Sequence, residues 1–137
     1  MTHIKISGNQ NNTVMLTILF LLFALPAFSQ TDYKMAGPYP IVARDGQYRS
    51  TKGGSERDMK AAHDLAKFHL QGGDDSRKAR DKALEIINAY SATLQGFDGH
   101  DAPLCAIQSY DLVRAMTCLK EYKTSEWEAM VRRAMLP

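Results

Sequence analysis

Cysteine and histidine are scarce in this chain, and neither sign of charge dominates it. Two cysteines and four histidines occur among 137 residues, which excludes a small secreted scaffold held together by disulfides. The histidines (His3, His63, His69 and His100) show no ligand spacing, and His63 and His69 fall on different sides of a helix. No metal and no cofactor are therefore expected. A formal net charge of +2 provides no broad field for nucleic acid or an anionic membrane surface, so any basic site must be local. No stretch alternates with period two over a useful length, and no strand of any strength is expected.

A long hydrophobic run is also missing. Val14 to Phe28 is almost continuously apolar, yet it falls short of the ~20 residues a membrane-spanning helix needs. Pro26 breaks it, and Ala27 and Ser29 place small residues before Gln30. This reads as a signal peptide over 1–29, cut before Gln30, with an N-terminal anchor or a buried core helix as the alternative. The expectation is a periplasmic or secreted chain with no stable membrane anchor after cleavage.

Residues 30–54 contain Pro38, Pro40 and several glycines and read as an irregular lead-in with a turn near Arg44-Asp45-Gly46. Helical signals then follow one another over 55–137. The first helix is expected from Ser55 to Gln71, with Ser55 as N-cap and Glu56 and Asp58 in its first turn. Met59, Ala62, Ala66 and Leu70 form its apolar stripe, and Gly72-Gly73 ends it. The second, about Asp75 to Leu94, carries Ala79, Ala83, Ile86, Ile87, Tyr90 and Leu94 at steps of three and four. A third runs from Pro103 to about Tyr122 on Cys105, Leu112, Met116 and Leu119, with Ile107 and Val113 flanking. The fourth opens at Thr124-Ser125, where Ser125 and Glu128 suit a capping box, and buries Trp127, Met130, Val131 and Ala134.

Cys105 and Cys118 would lie about 20 Å apart on that third helix at 1.5 Å rise per residue. A disulfide needs less than ~7 Å, so both are expected to be free and buried. The fold class is all-α, built of antiparallel helical hairpins. The loops that precede the first and third helices, 44–54 and 95–102, then share one rim, at which helix N-termini favour anions.

The stretch GDDSRKARDKALEIINAYSATLQGF resembles a segment of alginate-lyase-like proteins with an α/α toroid. The lead RDGQYRSTKGGSERDMKAA and the following FDGHDAPLCAIQSYDLVRAM are similar to that family's flanking segments, so the resemblance covers 44–137. Tyr90 stands where many relatives have Trp. The resemblance implies a partial α/α toroid from an exported polysaccharide lyase, acting on alginate or a related polyuronate by β-elimination. That reaction needs a group to neutralise the uronate carboxylate, a base for the C5 proton and an acid for the leaving oxygen. In such lyases the Asn, His, Tyr and Arg that do this lie on later helices, so this chain is expected to be a fragment that is inactive alone.

The candidates for contact with an acidic polysaccharide are His100, Asp101, Lys52, Arg49 and Gln108. Lys52 and Arg49 are cations in a polar loop. Asp101 also suits a helix cap, whereas His100 has no such structural role. Gln108 is a polar residue on the third helix with access to the rim, and Asn88 is expected to serve structure. Tyr90 and Trp127 are expected in the core. A second reading is a non-catalytic exported helical-repeat module binding protein or glycan.

Overall fold

A computed structural model describes residues 31–44, 51–99, 102–120 and 124–136. The expected signal peptide, Arg49, His100 and Asp101 lie outside these residues. The chain is mostly helical. Its elements are β1 (Ile41–Ala43), α1 (Thr51–Gln71), α2 (Ser76–Thr93), β2 (Gly96–Asp98), α3 (Ala102–Ile107), α4 (Ser109–Cys118) and α5 (Thr124–Met130). A π-helical turn, Val131–Met135, continues α5.

The six apolar positions expected on α2 are all fully buried. α1 packs against both α2 and α4, and small residues let the backbones approach: Ala62 and Ala66 on α1, Ala79 and Ala83 on α2. Met59, Leu65, Ile86, Ile87, Leu112 and Met130 fill the space between, each stabilising the fold by roughly 1.5–3 kcal/mol. Gly72 and Gly73, with φ of 77° and 105°, turn the chain from α1 into α2, a conformation that only glycine adopts without strain.

Several expectations need correction. α1 begins at Thr51, four residues early, so Asp58 is not in its first turn, and Ser55 is a buried helical residue whose hydroxyl donates to the Lys52 carbonyl at 3.1 Å. In this added turn Gly54 lies under the Tyr39 ring, where a Cβ would meet Tyr39 Cε2 at 2.7 Å. Leu70 is 62% exposed, since the last turn of α1 carries this side chain away from the core, and Leu65 takes its place in the stripe.

The third helix is broken at Gln108 into α3 and α4. Ser109 Oγ donates to the Ala106 carbonyl at 2.5 Å, and such a back-bond bends a helix. Ile107 ends up 61% exposed. The two cysteines are thiols on different helices, and Cys118 is only half-buried.

The lead-in is not irregular throughout. β1 pairs in parallel with β2, in the register Ile41 with Gly96, Val42 with Phe97 and Ala43 with Asp98. Val42 and Ala43 are fully buried, so this short strand is held by burial as well as by its ladder.

Candidate functional site

The parallel pairing has a geometric consequence for the two polar loops. Segments leaving parallel strands exit at the same end, and neighbouring strands lie about 4.8 Å apart. The segments after Ala43 and after Asp98 therefore start side by side. Each is also closed at its base. Thr51 Oγ1 accepts from the Ala43 amide at 2.8 Å and donates to the Ala43 carbonyl at 3.0 Å. The Ala102 amide donates to the Gly99 carbonyl at 3.2 Å, and Gly99 turns at φ 89°.

Among the rim candidates, Lys52 Nζ sits 2.9 Å from Glu56 Oε1, so its charge is already partly balanced. Gln108 stands at the α3–α4 break, one short helix beyond the rim, with its Oε1 buried and without a hydrogen bond. The Asn88 Oδ1 is in the same condition on α2. Arg49, His100 and Asp101 belong to the loops but lie outside the described residues. Trp127 is half-buried against the core, whereas Tyr110 is 59% exposed. Arg114 places its guanidinium carbon 4.4 Å from the centroid of the Tyr110 ring.

The most heavily bonded polar group was read from sequence only as a dipole-compatible acid. Asp58 is fully buried on α1. Its Oδ1 accepts from Tyr33 Oη at 2.6 Å and from the Ala36 amide at 2.8 Å. Its Oδ2 accepts from the Gly37 amide and from Tyr90 Oη, both at 2.8 Å. Burial first, then the bond to Asp58 and its negative charge, push both phenols well above the ordinary tyrosine value of 10.0. A tyrosine acting as base needs the opposite shift and access to substrate. This cluster is structural.

The other titratable groups are dispersed. His63 Nδ1 lies 3.3 Å from Asp111 Oδ1, joining α1 to α4. His69 Nδ1 lies 2.9 Å from Ser76 Oγ, which donates to the His69 carbonyl across the α1–α2 turn. Lys60 and Lys67 flank Asp64 on the surface of α1. Burial alone would raise the Asp64 carboxyl, but hydrogen bonds from both lysines outweigh it and hold the group below its usual range. Among the described residues, no three of His, Cys, Asp and Glu gather as metal ligands, and no helix is long and apolar enough to cross a membrane.

A second structural residue, Arg133, gave no sequence signal beyond its place near a C-terminus. Its Nε donates to the Leu94 carbonyl at 2.7 Å and its Nη2 to the Ser91 carbonyl at 3.0 Å. It thus brings positive charge to the negative end of α2, whose last turn has no basic residue. No protein-family model, no curated protein and no solved structure matches this chain.

Proposed function

We propose that this chain forms the N-terminal part of an exported polysaccharide lyase, in which it supplies one rim of a cleft for alginate or a related polyuronate. The observation that carries the reading is the shared exit of the two polar loops from β1 and β2. It supports one surface near the ends of β1 and β2, with Lys52 on the first turn of α1 and Gln108 one short helix further on; Arg49, His100 and Asp101 remain sequence candidates for it. On α4, the exposed Tyr110 and Arg114 pair an aromatic face with a cation, a combination suited to an acidic sugar ring. In this reading α1 with α2, and the α3–α4 segment with α5, are antiparallel hairpins of a partial α/α toroid.

Binding without cleavage is the expected behaviour of the chain by itself. The two tyrosines best placed by hydrogen bonding, Tyr90 fully buried and Tyr33 partly so, hold their protons firmly. The base and acid of elimination then belong to later helices. A non-catalytic glycan-binding module is the second reading, favoured by the same buried phenols. Titration calorimetry with oligouronates, paired with a neutral glucan, tests the shared claim of binding. No affinity for either would overturn both readings. Unsaturated-uronate absorbance appearing with the purified chain would overturn the claim that it cannot cleave alone.

A further inference from the structure

We propose that residues 33–43 form a strap latched by the single carboxylate of Asp58, and that the strap lifts as a unit while the helices stay folded. Three observations carry this. Most of the core lies between the helices: Met59, Ala62, Leu65 and Ala66 of α1, Ala79, Ala83, Ile86 and Ile87 of α2, and Leu112 and Met116 of α4 belong to one cluster, to which the strap adds Val42. From the strap, only Val42 and Ala43 are fully buried, and Tyr33, Met35 and Tyr39 lie at the edge of the core.

The polar contacts of the strap's first half converge on one point. Tyr33 Oη, the Ala36 amide and the Gly37 amide all donate to Asp58. Its second half is held by weaker means: the Gln95 amide donating to the Pro40 carbonyl at 2.7 Å, the Thr51 clasp on Ala43, and a ladder only three residues long. A hydrogen bond to a buried carboxylate is stronger than one between neutral groups, so Asp58 is where the strap is secured.

The third observation concerns fit. A Cβ on Gly37 would lie 2.8 Å from Tyr90 Oη, and one on Gly54 would meet the Tyr39 ring. The seat admits the strap closely, its backbone at Gly37 and its Tyr39 ring at Gly54. Lifting the strap withdraws β1, which separates Ala43 from both Asp98 and Thr51. This claim concerns the apo chain and does not depend on which ligand the rim takes.

Residue-resolved amide hydrogen exchange on the full chain, across low concentrations of denaturant, tests the proposal. The Ala36, Gly37, Ala43 and Gln95 amides should exchange as one set, at least ~100-fold faster than those of Ala62, Leu65, Ile86 and Ile87. Their rates should also rise less steeply with denaturant, because a smaller surface is exposed. In Asp58→Asn the four reporters should approach unprotected rates while the core amides stay protected. Exchange of reporters and core amides in one common step in the unmodified chain would overturn the proposal. So would an Asp58→Asn variant that keeps its reporters protected, or one that loses its helical circular dichroism.

Discussion

Tyr90 on α2 donates its hydroxyl to Asp58 on α1 across 2.8 Å, with both side chains fully shielded from water. The pair ties two helices at a buried point where Tyr90 Oη has no other hydrogen-bond partner among the described residues, and a hydrogen bond to a charged group is worth about 1.5–3 kcal/mol. Tyr90→Phe is therefore expected to lower unfolding free energy by about 1–3 kcal/mol in urea denaturation. Tyr33→Phe should cost less, since Tyr33 is only partly buried.

The same two phenols set an alkaline limit. Their folded values lie above the ordinary 10.0, so above pH ~10 the unfolded chain releases protons that the folded chain keeps. Stability from this source is complete below that pH and falls as pH rises past it. Melting curves from pH 8 to 11 should show the fall, and the Tyr33→Phe/Tyr90→Phe double variant should flatten it. An unchanged slope in the double variant would show that other groups are responsible.

Two glycines are expected to respond differently to alanine. At Gly37 the new Cβ would meet the Tyr39 backbone amide nitrogen at 2.8 Å, and backbone cannot step aside, so Gly37→Ala should cost ~1–3 kcal/mol. At Gly54 the obstacle is the far end of the Tyr39 side chain, which can swing, and the helix gains about 1 kcal/mol on replacing glycine. Gly54→Ala should be close to neutral by denaturant titration.

Arg133→Met keeps the aliphatic stem and removes both donors to the end of α2. A loss of about 1–2 kcal/mol is expected from the hydrogen bonds and the helix dipole together. Arg133→Lys should recover only part, because an ammonium lacks the planar fork that reaches two carbonyls. An Arg133→Lys variant as stable as the unmodified chain would show that charge alone matters.

Gln108→Met removes a buried acceptor that has no hydrogen bond. It should raise stability by roughly 1 kcal/mol and, if Gln108 serves the rim, weaken oligouronate binding at the same time. Opposite signs in the two measurements would mark a residue kept for binding. A fall in both would mean that the amide supports the α3–α4 break.

The clarity of the sequence varied with how far local pattern governs each element. α2 was legible down to each buried position, because its apolar spacing and its two neighbours agree. The start of α1 was not: Gly53-Gly54 reads locally as a breaker, yet Gly54 sits in the helix to admit Tyr39. β1 and β2 are three residues each, too short to show a period. Asp58 carried a readable signal, since it falls beside Met59 and in step with Ala62 and Leu65, on a stripe where a charge needs buried partners. Those partners, Tyr33 and the Ala36 and Gly37 amides, come from a segment with no periodicity. Of the rim, the loops could be named from sequence, but their juxtaposition depends on a strand pairing that no local pattern encodes.

That pairing also bears on the order of folding. Strands separated in sequence by the whole of α1 and α2 meet only after those helices have drawn their ends together, because closing so long a stretch of bare chain is entropically costly. The rim is then expected to assemble after the rate-limiting barrier. Val42→Ala, which thins the buried face of β1, is expected to speed unfolding and leave the refolding rate nearly unchanged in stopped-flow measurements.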